Sequence, residues 1–515
     1  MKNLFKVLTK VFSLLLMVLM AFALVGCGDT PAPDPNQGKD PNQGQDPNQG
    51  KDPTPPAHEW TENELFWDSD KNGIPDWTEK EITLTYATWQ YDNPEAITID
   101  TLLIEKFMEK YPNVHVEMQI VGGLEEQWEA NFLALMETEE VPDVFLIHRL
   151  ENLLDKNVLA DLTEYYDHDE DTQYLFESVR DLGMYKGRRY SLPTFIYPEI
   201  WLVNKDLLED CNIEAPGYDW TWEQMEAIAK AVYAARGTQH AIGIYGTEEY
   251  YFELPKIMKM KEDATAGSKW LAYGYSEDKF NFSDNAFLLA MSKMETGLSE
   301  GWLVNQLDEE TLLEYYGSAV DPRYSGQVAI WRQPSWEFKD HMADIQFTWD
   351  VYPGPSGVTG GNTDIAGVYQ LCENKAAAYQ LLKWMSWGED GMVTRYNLYD
   401  EYGAELYVSA NNYPYPVVDY GINGDGENLI WDNIPYTQSA DGYGAPEFVE
   451  SLRGGAIKAN KEVIGWDAAE NVFKPYVSQI IMEGAKYATL YSTVQELADA
   501  AMKQKRDAVD EMNGN

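Results

Sequence analysis

The chain has 515 residues, 44% hydrophobic and 13% aromatic, with 38 basic against 86 acidic side chains and a formal charge of -48. A surface of that sign repels nucleic acid and anionic lipid headgroups, which argues against nucleic-acid recognition and peripheral binding to charged membranes, and it disfavours strongly anionic ligands. Cys27, Cys211 and Cys372 are the whole cysteine complement, too few for a disulfide framework or a cysteine metal site.

Lys2, Lys6 and Lys10 precede an apolar run from Val11 to Val25, which reads as a signal peptide over residues 1–26. The run ends in Leu24-Val25-Gly26-Cys27, which resembles the lipobox of bacterial lipoproteins; the resemblance implies cleavage before Cys27 and acylation of that cysteine. No later stretch reaches the roughly 18 apolar residues needed to cross a bilayer. Next, Asp34-Pro35-Asn36-Gln37-Gly38-Lys39 recurs with small changes from Asp40 and again from Asp46. Such a repeat has nothing to bury, so residues 27–57 are expected to be a lipid anchor followed by a disordered spacer.

Residues 58–80 hold a sharper signal. From Asp68 to Glu79 the chain matches D-x-[DN]-x-[DN]-G-x5-E at every position. In that pattern the oxygens of Asp68, Asp70, Asn72, the Ile74 carbonyl and Asp76 converge on a hard cation, Gly73 makes the sharp turn, and Glu79 closes the shell in bidentate fashion. The loop resembles those of EF-hands and of dockerin-like or thrombospondin-type repeats. It departs from a regulatory EF-hand at Pro75, where an apolar side chain usually sits, and it has no second loop beside it. A structural Ca2+ that pins the end of the spacer to the folded domain is therefore expected, rather than a calcium sensor.

From Glu81 strands alternate with amphipathic helices. Ile82 to Tyr86 reads as a strand. Asn93 and Pro94 are expected to start a helix whose buried face is Ile99, Leu102, Leu103 and Phe107. Val114 to Ile120 alternates as a second strand, Trp128, Phe132, Leu135 and Met136 mark a helix, and Val144 to Ile147 a third strand, which completes a βαβαβ unit. Downstream, Thr221 with Gln224 forms a capping box, Asn374 is placed to cap a helix running to Trp387, and Ser492 with Gln495 is placed to open the last helix. A chain of this length exceeds one core, so two α/β lobes are expected, with ligand between the carboxyl ends of their strands.

Several segments, in order, carry a family resemblance: Pro142-Asp143-Val144-Phe145 with Lys156 to Leu162, Lys186 to Pro193, Asn204-Lys205-Asp206-Leu207, Trp220-Thr221-Trp222-Glu223, and Ser325 to Ile330 ahead of Ser335-Trp336. Together they resemble the family 1 extracellular solute-binding proteins, the group that contains maltose-binding protein. The resemblance implies a two-lobed, type II periplasmic-binding-protein-like α/β fold. One lobe would comprise residues 81–197 and 331–388 and the other 198–330 and 389–515, with hinges near Tyr197, Ile330 and Trp387. It implies a monomeric receptor closing on a sugar or oligosaccharide and delivering it to an ABC permease, while the lipid anchor and spacer imply the extracellular face of a Gram-positive-type membrane.

A sugar needs flat rings for its C–H faces and charged groups for its hydroxyls. The resemblance places Trp336 as a stacking ring, Glu249 and Tyr251 as a carboxylate and a ring in contact with sugar, and Arg149 as a partner for hydroxyls. Trp89 and Asp92, after the first strand, and Tyr197, at the first hinge, would line the cleft. The insertion from Tyr396 to Tyr443 departs from maltose-binding protein, so only the ligand class carries over. The competing readings are a surface glycoside hydrolase, which needs just two well-placed carboxylates, and a glycan-binding lipoprotein that serves no transporter. Neither H-E-x-x-H nor G-x-x-x-x-G-K-[ST] occurs, and no catalytic residue is assigned.

Overall fold

The computed structural model describes Trp60 and residues 67–89, 91–138, 140–337, 345–402, 415–420, 431, 445–452 and 463–512. Cys27, the repeat spacer and much of the 396–443 insertion lie outside the described residues. Strand β1 (Ile82–Ala87) buries alternate side chains, as a half-covered strand must, and leads to helix α1 (Ile99–Lys110). Its inward face is Ile99, Leu102, Leu103, Ile104 and Phe107. The helix opens at Thr98 rather than Asn93: Thr98 and Thr101 form a reciprocal capping box, while the Asn93 carboxamide turns back to accept from the Glu95 N–H.

Strand β2 (Val114–Met118), helix α2 (Glu125–Leu135), strand β3 (Val144–Ile147) and helix α3 (Leu150–Leu154) follow, and β1 pairs in parallel with both β2 and β3. The expected βαβαβ unit is thus present. Strand β4 (Leu192–Asn204) is buried along all 13 residues. After it come helix α4 (Trp222–Arg236), with the Thr221–Gln224 capping box, strand β5 (Ile242–Tyr245), helix α5 (Glu249–Phe252), helix α6 (Asn285–Glu300), strand β6 (Leu303–Val304) and strand β7 (Val328–Pro334). Strands β8 (Trp349–Tyr352) and β9 (Gly361–Val368), helices α7 (Lys375–Met385) and α8 (Glu389–Tyr402), strand β10 (Tyr415–Pro416), and helices α9 (Trp466–Glu483) and α10 (Tyr491–Met512) complete the labelled elements.

One sheet holds these strands in the order β6-β5-β7-β4-β9-β3-β1-β2, with β8 and β10 also pairing with β4. Strand β4 changes partner along its length. Leu192 to Pro198 pair with β9, whereas Glu199 to Val203 pair with β7 and Trp201 to Asn204 with β8. Pro198, which has no N–H to give to a ladder, sits at the changeover, next to Tyr197.

The other lobe boundaries differ from expectation. Ile330 lies inside the second lobe, paired with Val203 and Ile244, and β8 still pairs there, so the chain returns to the first lobe between Tyr352 and Gly361. Helix α8 packs against α1 and α7, and Met392, Tyr396, Val418 and Ile464 join the first core, while the second core takes up the chain from Trp466. Residues just after 388 therefore belong with the first lobe: their apolar faces fit α1, which composition alone does not reveal. The first core also reaches under the hinge to Trp331 and Val351.

Smaller departures have local causes. Asn374 precedes α7 without a side-chain cap. Helix α10 begins at Tyr491, and Gln495 is taken by Ser283, Phe280 and Asp499, leaving it unable to close a capping box with Ser492. Cys211 and Cys372 are both free thiols. Among the described residues no helix is long and apolar enough to cross a membrane.

Gly243, in β5, lies against α4 and the turn before β6: a Cβ there would sit 2.5 Å from the Ala229 carbonyl oxygen and 2.7 Å from that of Trp302. Both are backbone atoms with little room to yield. Gly243→Ala is expected to cost about 1–3 kcal/mol in urea denaturation, and an unchanged midpoint would contradict this packing.

Candidate functional site

Trp89 and Arg149 follow the carboxyl ends of β1 and β3, and Glu249 opens the helix after β5, the end of the strands at which open α/β sheets bind ligands. Trp89, half-buried, meets Trp128 edge-on with centroids 5.7 Å apart. Asp92 is exposed.

Arg149 forms an ion pair with Asp467 at the start of α9. Its neighbour Leu150 belongs to the first core and Trp466 to the second, so the pair joins the lobes. Burial pushes the Asp467 carboxyl upward, and Arg149 opposes the rise.

Glu249 lies at the start of α5 with its side chain 5% exposed, and its Oε1 is 3.0 Å from Arg332 Nε. Arg332, in β7, also faces Glu199 at 3.7 Å, Glu248 at 2.8 Å and Glu253 at 3.5 Å. Burial works against the guanidinium charge, and the surrounding carboxylates more than offset it, so Arg332 stays protonated. Burial raises Glu249, with Arg332 opposing, and lifts Glu253 to about 8. Glu253 has no exposed surface, and its carboxylate is met by charge rather than by a well-directed hydrogen bond.

Strand β7 ends at Pro334, paired with Glu199, and the 3-10 turn Ser335–Glu337 then carries Trp336. The indole is half-buried and edge-on to Tyr197, centroids 6.3 Å apart. Tyr197 also lines a pocket with Tyr86, Thr88, Asp100, Asp364 and Arg395. Tyr251 packs against Tyr273 at 5.8 Å and Phe473 at 5.5 Å, and the Tyr273 hydroxyl donates to Glu470 of α9 at 2.7 Å.

The structure thus links Tyr197 and Trp336 through the Arg332 cluster to Glu249 and Tyr251, and on through Tyr273 and Glu470 to α9, whose Asp467 meets Arg149. Trp89 approaches from the other side, through Trp128 and the Glu129–His148 contact of 3.8 Å. Arg332, Glu253, Tyr273, Asp467 and Arg395 were not found from sequence. For Arg332 there was a signal, a lone cation in the apolar strand Val328-Ala329-Ile330-Trp331; the others meet only through tertiary packing.

The acidic loop is wound as its motif requires. Gly73 has φ +86°. Carboxylate oxygens of Asp68, Asp70 and Asp76 lie within 4.8 Å of one another, and the Asp68 carboxylate accepts from the Asn72 and Gly73 N–H groups at 3.0 and 2.7 Å. Glu79 is turned toward the loop by a 2.7 Å hydrogen bond from the Asn72 carboxamide. Three converging hard oxygens, with two more donors alongside, suit a calcium-type cation. Trp77 anchors the loop in the first core against Tyr111, centroids 5.0 Å apart, and Asn113 donates to the Trp77 and Lys80 carbonyls.

Residues 86–386 match the family model for bacterial extracellular solute-binding proteins. The chain belongs to that family. Solved structures with the same fold include an ABC substrate-binding protein of Listeria monocytogenes in complex with cycloalternan, at 19% identity and TM-score 0.53, covering 84% of this chain and 100% of the other. The sugar-binding protein MalE of Xanthomonas citri is 15% identical at TM-score 0.58, with 82% of this chain and 98% of that one covered. A cyclic α-maltosyl-1,6-maltose binding protein of Arthrobacter globiformis is 14% identical at TM-score 0.59, covering 82% and 100%. These are two-lobed, maltose-binding-protein-like sugar-binding proteins, and the solute-binding protein described here shares their type II architecture.

Glu253 gives the site a pH signature. Unfolded, the carboxyl loses its proton near its ordinary value of 4.5; folded, it keeps it to about 8, so the native state binds more protons in that window and stability falls as pH rises through it. Glu253→Gln, which cannot ionise, is expected to flatten this decline in denaturation curves recorded across the window. An unchanged pH slope would contradict the buried placement of the carboxyl.

Proposed function

We propose that this protein is the lipid-anchored receptor of a bacterial ABC importer, capturing a sugar or oligosaccharide between its lobes and delivering it to a permease. The observation that carries this reading is the run of rings and charged groups from Tyr197 and Trp336 to Tyr251 and α9, to which both lobes contribute. Trp336 offers the stacking face; Tyr197, Trp89 and Tyr251 add rings; Arg149, Asp92 and Glu249 are the polar partners for hydroxyls. Family membership supports solute capture, and the neighbours named for cyclic glucans support the ligand class.

The protein acts as a monomeric binder, not an enzyme. The buried carboxylates beside Trp336 share one arginine, an arrangement that fixes shape rather than leaving an acid and a base free for turnover. Cys27 carries the lipid, the repeat spacer sets the distance from the membrane, and the domain works at the extracellular face. At the spacer's end a structural Ca2+ is held by Asp68, Asp70, Asn72, Asp76, Glu79 and the Ile74 carbonyl, pinning the segment to the first lobe through Trp77.

Thermal-shift screening against neutral oligosaccharides is expected to find a ligand that raises Tm without release of reducing sugar; turnover of that ligand would favour a hydrolase instead. Trp336→Ala is expected to weaken its binding at least about tenfold by calorimetry, because stacking rings are typical binding hot spots. Wild-type affinity in that variant would remove Trp336 from the site. Separately, chelation is expected to lower Tm by mass action on the loop, and Asp68→Asn to abolish the chelator's effect. An identical melting curve with and without Ca2+ would rule the metal out.

A further inference from the structure

The cations of the cleft are outnumbered by the acids around them. Arg332 faces Glu199, Glu248, Glu249 and Glu253 together. Arg149 is taken by Asp467, and Lys474 lies 3.2 Å from Glu470. Glu248 and Glu470 are themselves linked by the Tyr273 hydroxyl, at 3.4 and 2.7 Å. Each of these basic side chains is therefore already ion-paired within the protein, with Arg332 Nη1 facing Glu253 at 3.5 Å without a directed hydrogen bond, and the surplus of charge is negative. Two oxygens of the set, Glu249 Oε2 and Asp467 Oδ1, are buried with no hydrogen-bond partner among the described residues, and the Glu249 side chain is 5% exposed. They are poised to receive donors and have none to spare for an acceptor.

We propose that the cleft is a charge filter: it admits neutral or amine-bearing glycans and excludes those bearing carboxylate or phosphate, and Glu248 is the residue through which a ligand meets that surplus. Glu248 is the accessible member of the Arg332 set, its side chain 49% exposed where those of Glu199, Glu249 and Glu253 are 10%, 5% and 0%. A uronate entering beside it would set like charges together in a partly desolvated site, with Arg332 and Arg149 unable to turn toward it without abandoning buried partners. A hydroxyl or ammonium donor faces no such cost and gains a charge-assisted hydrogen bond.

This inference rests on the sugar-receptor reading and is separable from it by experiment. Maltotetraose, cellotetraose and tetragalacturonate are titrated calorimetrically into the wild-type protein and into Glu248→Gln and Glu248→Lys. Wild type is expected to bind a neutral tetramer at least about tenfold more tightly than the acidic one. The gap should shrink about three- to fivefold in Glu248→Gln, further in Glu248→Lys, and also on adding salt to wild type. Tetragalacturonate bound as tightly as the neutral tetramers would overturn the filter while leaving the sugar reading intact. A gap unchanged in both variants would overturn the role of Glu248. If no tetramer binds, the sugar reading fails and takes the filter with it.

Discussion

Strand β4 is the constraint on which the rest depends. Its 13 buried residues carry one hydrogen-bonded ladder from the first lobe into the second, changing partner from β9 to β7 and β8 at Pro198. A strand shared in this way fixes the lobes at one edge and leaves rotation about that edge as the easiest relative motion. It also brings Tyr197, the ring that meets Trp336, and Glu199, the acid that faces Arg332, to the changeover.

The buried charge cluster at Arg332 is costly on its own terms. A guanidinium removed from water is tolerated only when carboxylates surround it closely, and here more are supplied than neutrality needs. Glu253 resolves part of the conflict by holding its proton to about 8. What remains fixes α5 against β7.

The acidic loop and the C-terminal helix tie the ends of the chain to this frame. Trp77 and Asn113 hold the loop to the first core. Helix α10 bridges both: Val494, Ala498 and Met502 lie in the second core and Val509 in the first, with Lys505 hydrogen-bonded to Asn152 at 2.9 Å.

Local pattern made much of this legible. Alternation gave β1 and β2, 3.6-residue periodicity gave the buried face of α1, and the Thr221–Gln224 box gave the start of α4, because each is decided within a few residues by backbone geometry and solvent. The turn of the acidic loop was legible for the same reason, its acidic side chains and Gly73 being spaced along one turn. By contrast, the return from the second lobe after Tyr352, the place of α8 on α1, and the meeting of Arg149 with Asp467 depend on contacts across hundreds of residues. Nothing local marks them. Resemblance supplied Trp336, Tyr197, Glu249 and Tyr251 as candidates, but which of them are committed to protein partners was decided by packing alone. The sequence determined the elements, the overall charge and the family; the tertiary structure decided the lobe boundaries and the balance of charge in the cleft, since both are sums over neighbours that chain order does not place side by side.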